Sequence, residues 1–342
     1  MTKKHINIPV FIPHLGCPNQ CVFCNQRTIS GVSSFDISSV SKTIDEALST
    51  IDKNTSEVEI AYFGGSFTGL EPSLMLELLK IAHSYIEKGL VDSIRLSTRP
   101  DYIDEKILDS LIFYGVKTVE LGLQSASDKV LERCKRGHSF KDEERACRLI
   151  TERGLDLVGQ MMIGLPDSDL SDEIATAEFI VKSGACAARI YPTVVLESTE
   201  LKAFCLADEY SPLSIEDAIF RSKEAAKIFV KNGVDIIRVG LCASENLVSH
   251  ETYFAGPNHS ALGELVYGEL YYDLIREEIN QSKDETKGKN LIIEAPIGFS
   301  SKIIGQKRRN AKRLEELYGF SRIRVCEKNG LSAYEIKIKI LE

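Results

Sequence analysis

Over its first 240 residues the chain alternates short β-rich runs with longer amphipathic segments, and few folds accept that pattern. Apolar runs occupy 6–12, 58–63, 93–97, 116–121, 155–163, 187–195 and 235–241. Helical patterns lie between them. In 71–89, Leu74, Leu78, Ile81 and Tyr85 form one stripe at helical spacing. In 211–233, Ser211 and Pro212 open a helix, Gly233 closes it, and Ile215, Ala218, Ile219, Ala226 and Phe229 supply its face. A third pattern over 170–183 ends at Gly184. Strands alternating with helices predict parallel βαβ units, about seven strands at roughly 30–45-residue spacing. Counting alone fits a complete eight-stranded barrel or a partial one. Either places chemistry at the C-terminal ends of the strands.

At 342 residues the chain is long enough for one large domain and a smaller one. Hydrophobic residues make up 43% and charged residues 27%, and no run approaches the roughly 20 apolar residues that cross a bilayer, so a membrane protein is not expected. Met1-Thr2-Lys3-Lys4-His5 leads into no long apolar run with a cleavage site, so no secretory signal is expected. Nine cysteines in that setting predict the reducing cytoplasm, where thiols stay available for metal. Net charge is −8 but unevenly placed. Residues 287–342 hold 13 Lys and Arg against 6 Asp and Glu, a balance of +7; the other 286 hold 29 against 44, a balance of −15. A basic tail on an acidic body predicts a polyanionic partner for the tail alone. The polar stretch 280–290 lacks apolar periodicity and reads as a linker between a body at 1–279 and a tail domain at 291–342. The tail pattern predicts a strand at 291–294, a helix from Ser300, a turn at Gly305-Gln306-Lys307-Arg308, a helix at 310–318, and strands at 323–326 and 334–340.

Directly after the first strand, Cys17, Cys21 and Cys24 read C-x3-C-x2-C. Thiolates are the usual ligands of iron–sulfur clusters. With three close together, a four-iron cluster keeps one iron without a protein ligand, and an open coordination site is what a chemical centre needs. The residues alone leave two other options: His14 completing a Cys3His zinc site, or a disulfide with one spare thiol. Cys134, Cys147, Cys186, Cys205, Cys242 and Cys326 lack ligand spacing and read as small apolar fillers. Gly64 and Gly65 end the second strand, where they either make a plain turn or let backbone approach a ligand.

The cysteine spacing resembles the signature of the radical S-adenosylmethionine (SAM) enzymes. Further segments resemble one branch of them, the catalytic subunit of Elongator and its relatives. These are Ser97-Thr98-Arg99-Pro100-Asp101, Val119-Glu120-Leu121-Gly122-Leu123-Gln124-Ser125, Arg136-Gly137-His138-Ser139, Met161-Met162-Ile163-Gly164-Leu165-Pro166 and Ile190-Tyr191-Pro192-Thr193, with a weaker echo at Gly256-Pro257-Asn258-His259. The resemblance runs from Cys17 to about residue 200 in the family's order. It implies an α/β fold, a partial (β/α)6-type TIM-like barrel with accessory strands. It also implies a 4Fe-4S cluster on Cys17, Cys21 and Cys24 whose open iron chelates the methionine end of S-adenosyl-L-methionine. An electron donor such as ferredoxin or flavodoxin then lets the cofactor yield a 5′-deoxyadenosyl radical. Gly64 and Gly65 stand where the family has Gly-Gly-Glu; Ser66 replaces the Glu, so the backbone role carries over and the carboxylate role does not. Phe23 would pack on the adenine or shield the cluster, or else be an ordinary core aromatic. Ser97, Thr98 and Gln124 are polar groups at ends of buried strands, costly unless a ribose or the backbone satisfies them. Arg189 would pair with the methionine carboxylate or make a surface ion pair. Arg136 and His138 would shape substrate entry or sit in a solvated loop. Met161 and Met162 read as barrel filling, and Asn258 or Ser260 as a helix cap.

The tail from Lys302 to Leu317 resembles a KH RNA-binding module, an α+β fold that clamps about four nucleotides over a G-x-x-G loop between two helices. The second Gly is absent from Gly305-Gln306-Lys307-Arg308, while Lys307, Arg308 and Arg309 add phosphate-neutralising charge. The candidate RNA contacts are Lys302, Gly305, Lys307, Arg308, Arg309 and Lys312; a solvated basic helix is the plainer reading. Together the resemblances imply a cytoplasmic radical SAM enzyme that modifies RNA, with tRNA favoured. Family members that carboxymethylate uridine carry an acetyltransferase domain, and the 79 residues after Gly263 are too few for one, so acetyl-group chemistry is not expected. Two rival readings stay open: a radical enzyme acting on a small molecule or protein, and a non-catalytic RNA-binding protein that uses its cluster as a redox sensor.

Overall fold

In the computed structural model the described residues are 4–12, 15–17, 21–25, 35–241, 252–282 and 284–342. Six strands follow one another across a parallel sheet: β1 (Lys4–Phe11), β2 (Ser56–Phe63), β3 (Ser93–Thr98), β4 (Val116–Gln124), β5 (Asp156–Ile163) and β6 (Ala187–Pro192). After the short β7 (Val195–Leu196), the sheet gains its seventh strand, β8 (Asp235–Val239), beside β6. The order is sequential and β1 does not meet β8, so the sheet is a curled, open half-barrel. Strand β9 (Tyr253–Ala255) pairs antiparallel with β7 as a separate ribbon.

The helices are α1 (Ser38–Leu48), α2 (Pro72–Glu87), α3 (Glu105–Phe113), α4 (Asp128–Arg133), α5 (Phe140–Glu152), α6 (Leu170–Lys182), α7 (Glu200–Leu206), α8 (Ile215–Lys231) and α9 (Leu262–Ser282). Their starts follow local chemistry. Pro72 sits in the first turn of α2, where its missing N–H costs nothing. Capping boxes on Ser139 and Asp142, and on Asp169 and Asp172, open α5 and α6. Helix α8 starts later than the Ser211-Pro212 signal: the Ser214 hydroxyl accepts the Asp217 N–H at 3.0 Å, which fixes the cap there.

Alternation along each strand separates two environments. Ile8, Ile60, Ile94, Val119 and Ile190 face the helices in one apolar core. The opposite, concave side is polar. Ser93 and Thr118 donate to Glu59 Oε1 (2.7 and 3.4 Å), Arg95 Nη1 lies 3.6 Å from Glu59 Oε2, and Arg189 Nε donates to Glu120 Oε2 at 2.9 Å. Bulky aliphatic layers fill a closed eight-stranded barrel, whereas these charged pairs leave a lumen suited to a polar guest.

Helix α9, about 31 Å long at 1.5 Å per residue, belongs to two cores. Val266 and Leu270 join the barrel core, and Tyr271, Tyr272, Ile275 and Ile279 join the core of the tail. The helix runs to Ser282, into the polar stretch that reads as a linker. Beyond it lie β10 (Asn290–Ala295), α10 (Ser300–Ile304), a 3-10 turn at Gln306–Arg308, α11 (Arg309–Tyr318), β11 (Arg322–Glu327) and β12 (Lys337–Leu341). Strand β10 is central, parallel to β11 and antiparallel to β12. The last strand begins at Lys337, not at 334. Tyr334 takes a left-handed backbone (φ 66°) and stacks on Tyr271 with ring centroids 5.7 Å apart. Among the described residues no helix is long and apolar enough to cross a membrane.

Candidate functional site

The loop after β1 lies over the C-terminal ends of the strands, tied down by the Ile12 N–H donating to Phe63 O at 2.7 Å. Backbone meets backbone here. A Cβ on Gly16 (φ 80°) would fall 2.1 Å from Ser66 O, and one on Gly65 would fall 2.2 Å from Leu15 O. Only glycine allows the cysteine loop and the Gly-Gly turn to touch. The Cys17 thiol donates to Ser66 Oγ at 3.3 Å, so the serine that stands in place of the family's Glu contacts a cluster-motif cysteine. The Cys24 N–H closes a turn on Cys21 O at 2.9 Å. Cys17 is exposed, Cys21 buried and Cys24 half-buried.

Behind the loop stands a charged buttress. Arg136 Nη1 donates to Cys21 Sγ at 3.2 Å and Nη2 to Gly122 O, near the end of β4, at 2.6 Å. Arg99 grips Asp101 with two parallel bonds of 2.9 and 2.8 Å and also donates to Arg136 O. Next to them His138 Nε2 and Glu143 Oε1 meet at 3.0 Å, both side chains fully buried. Burial, reinforced by the Arg136 charge, depresses the His138 imidazole to about 3, and burial pushes the Glu143 carboxyl well above the usual range. The His138 imidazole is therefore neutral near pH 7, and burial biases Glu143 toward its protonated form. Two guanidiniums, Arg99 and Arg136, stand beside the thiols with Asp101 as their paired carboxylate. Four buried atoms in this cluster lack a hydrogen-bond partner: Arg99 Nη1, Arg136 Nε, His138 Nδ1 and Glu143 Oε2. Arg136 and His138 are buried, so neither sits in a solvated loop.

The other candidates divide. Gly65 and Ser97 border a narrow crevice, with no room for a water-sized sphere, together with Ile12, Leu15, Tyr62, Phe63, Phe67 and Leu70. Gly64 (φ 116°) packs against Ile12 O. The Thr98 hydroxyl lies 2.6 Å from that of Thr68, which ties the turn after Gly-Gly to β3. Gln124 is buried in a left-handed conformation (φ 74°) at a register shift of β4 on β5, with Gln160 Nε2 donating to its Oε1 at 3.3 Å. Strain of this kind is sustained only by the surrounding packing and marks functional loops. Arg189 makes an interior ion pair, not a surface one: besides Glu120 it donates to the Tyr191 hydroxyl at 3.4 Å. Burial works against its charge, but Glu120 outweighs it and holds the guanidinium above its ordinary range. Phe23 packs on a separate apolar cluster that includes Val22, Val130, Leu165 and Leu201, and Met162 joins it there, while Met161 is wholly buried in the barrel core. His259 Nδ1 accepts the Ala261 N–H at 3.0 Å just before α9. Lys302, Gly305, Lys307, Arg308, Arg309 and Lys312 lie together on α10, the 3-10 turn and α11.

Sequence reading passed over Ser66 as the Cys17 partner, Glu120 as the Arg189 partner, and the roles of Arg99 and Glu143. An Arg and an Asp two residues apart after a buried strand was the available signal for Arg99. Among the scattered cysteines, Cys134 and Cys147 are buried and pushed by that burial to about 12, as fillers should be. Cys186 and Cys326 are exposed and fill nothing. Cys242 and His14 lie outside the described residues. Among the described residues no three His, Cys, Asp or Glu side chains stand grouped so as to hold a metal ion; residues 18–20, between two of the thiols, are outside that set. The donor chemistry nevertheless fits a cluster. Three thiolates would place negative charge against a buried surface that presents the Arg99 and Arg136 guanidiniums and unpartnered N–H groups.

Comparison with known proteins decides the family. The Radical SAM superfamily model matches residues 11–180, and the Radical_SAM C-terminal domain matches 186–272. This chain belongs to the radical SAM superfamily. It is an enzyme of that family, whose cofactors are a 4Fe-4S cluster and S-adenosyl-L-methionine. It is similar to a tRNA uridine(34) acetyltransferase of Methanocaldococcus jannaschii, 27% identical over 73% of this chain and 53% of the relative. It is also similar to Elongator complex protein 3 of Homo sapiens, 25% identical over 51% of this chain and 36% of the relative. The chain spans about half the length of the first of these relatives and less of the second. The archaeal Methanocaldococcus infernus Elp3 with an N-terminal deletion shares the fold: TM-score 0.63, 22% identity, 80% of this chain and 64% of that one.

Proposed function

We propose that this radical SAM enzyme modifies RNA in the cytoplasm, with tRNA the favoured substrate. The observation that carries the reading is the placement of the tail cations. Helix α9 starts at the mouth of the barrel, where a Cβ on Gly263 would lie 2.9 Å from the carbonyl of Val239, the last residue of β8. Lys302 Nζ is 3.9 Å from Glu264 in the first turn of α9, and Asn310 Nδ2 donates to Gly268 O at 2.7 Å. The basic turn between α10 and α11 therefore sits toward the end of the barrel that carries the cysteine loop. The relatives named as tRNA uridine(34) acetyltransferases support the same substrate class.

In this reading Cys17, Cys21 and Cys24 hold the cluster, and Arg136 and Arg99 orient Cys21 and offset its charge. Gly64 and Gly65 offer backbone to the cofactor's amino group, Ser97 and Gln124 meet its ribose, and Phe23 shields the loop. Thr98 and Arg189, committed to Thr68 and Glu120, position that surface. When bound, the cluster and S-adenosylmethionine, fed an electron by a ferredoxin or flavodoxin, supply a 5′-deoxyadenosyl radical that removes hydrogen from the substrate. Lys302, Gly305, Lys307, Arg308, Arg309 and Lys312 receive the RNA backbone, in a tail unit at 291–342. The test is nucleoside mass spectrometry on RNA from cells lacking the gene. One modified nucleoside should disappear from tRNA and return with the wild-type gene but not with Cys21→Ala. An unchanged profile in both tRNA and rRNA overturns the proposal.

A further inference from the structure

The cations of the tail fall into two groups with different freedom. Those on the helical side are largely engaged: Arg308 with Glu315 at 3.2 Å, Arg309 and Arg313 with Glu269 at 3.6 and 2.6 Å, and Lys302 with Glu264 at 3.9 Å. Those on the sheet are, apart from Lys339, not engaged. The tail sheet buries Leu291, Ile293, Ala295 and Ile323 toward α9 and the tail helices, so the alternate residues face out. Register aligns them in rows. Ile292 lies between Arg324 and Lys339, Asn290 lies between Arg322 and Leu341, and Lys337 pairs with Glu294. Lys339 Nζ reaches Glu294 at 2.6 Å. Arg322, Arg324 and Lys337 are exposed and make no hydrogen bond or ion pair among the described residues.

We infer that this open sheet face is a second RNA-docking surface that takes the phosphate backbone on Arg322, Arg324, Lys337 and Lys339, separate from the Gly305–Arg309 turn. The inference rests on the RNA reading above. Four cations oppose one carboxylate on a face about two strand spacings wide, roughly 10 Å, so a polyanion gains charge without first breaking several internal pairs. The outward rows hold no aromatic side chain, and stacking of bases needs one. The surface therefore reads phosphates and not sequence, and its contribution is salt-dependent. An anionic membrane is the less suitable partner, because Ile292 and Leu341 are isolated apolar groups on a sheet, without the continuous apolar stripe that inserts at an interface.

The test compares the full chain with two triple variants, Arg322→Gln/Arg324→Gln/Lys337→Gln and Lys307→Gln/Arg308→Gln/Arg309→Gln, for binding of unfractionated tRNA across a salt series. The sheet variant should bind at least tenfold more weakly at about 0.1 M salt. Its slope of log affinity against log salt should be shallower by about 2, the loss of three phosphate contacts. If that variant melts early, Arg324→Glu alone should weaken binding in the same direction. If the sheet variant and Arg324→Glu both bind like wild type while the turn variant loses binding, the sheet inference is wrong and the RNA reading stands. If wild type retains no tRNA even at low salt, both fall. Loss of binding to phosphatidylserine vesicles with tRNA binding intact also overturns the inference, and assigns the face to a membrane.

Discussion

Gly65 and Arg136 show how little freedom the cysteine loop has. With Leu15 O only 2.2 Å from the position of a Cβ, Gly65→Ala must push the two loops apart, and overpacking of this kind costs about 1–3 kcal/mol. We expect a lower melting temperature and less iron bound per chain on anaerobic reconstitution; unchanged iron would show that the contact does not set the loop. Arg136 acts through charge and hydrogen bonding. Its N–H lies on Cys21 Sγ, and hydrogen bonds to cluster ligands stabilise the reduced form. Arg136→Gln should shift the cluster's midpoint potential to more negative values in a spectroelectrochemical titration. Arg136→Lys, which keeps the charge but not the forked geometry, should fall between. Equal potentials in all three proteins would remove Arg136 from the site.

Glu173 on α6 ties three elements together. Its Oε1 accepts the Gly164 N–H after β5 at 2.7 Å and Arg221 Nη1 from α8 at 3.2 Å. Burial nonetheless raises its carboxyl to about 7, against the opposing pull of Gly164 and Arg221. The folded chain therefore holds this proton more tightly than the unfolded chain does. The stabilisation is complete below the unfolded value near 4.5 and is lost as pH rises toward about 7. Glu173→Gln removes that loss, so its melting temperature should gain on wild type between about pH 5 and pH 7; a constant difference would contradict the assignment. The strands were legible because β-rich runs of the right length carry their own signal, and all seven of the barrel fall where those runs lie. Helix starts were less so. Ser211-Pro212 and Ser214 both look like caps, and only the Ser214–Asp217 bond tells them apart. Contacts between elements were not legible at all: Arg136 and Cys21 are 115 residues apart, and no local pattern predicts that they meet.

The body and tail differ in charge, yet α9 contributes side chains to both cores and binds them into one object. Asn310 is part of that joint. Its Nδ2 donates to Gly268 O on α9 and to Ile303 O on α10, at 2.7 and 3.2 Å, and it is buried. Asn310→Leu would remove the side-chain donor shared by the Gly268 and Ile303 carbonyls, a loss of about 1–3 kcal/mol. Limited proteolysis should then release the tail faster, whereas an unchanged digestion rate would mean that the apolar contacts of α9 suffice. The polar stretch 280–290 reads in sequence as a linker between body and tail. The apolar residues of α9 that close the tail core were visible in the sequence, but their partners lie on strands and helices that follow them. Above all, the account depends on Cys17, Cys21 and Cys24 leaving a cluster iron open to the cofactor. The direct measurement is 5′-deoxyadenosine released on reduction of oxygen-protected, reconstituted enzyme supplied with S-adenosylmethionine. Brown wild-type protein should release it, and colourless Cys21→Ala should not. Wild-type protein that purifies colourless with zinc in place of iron, and releases none, would contradict the account.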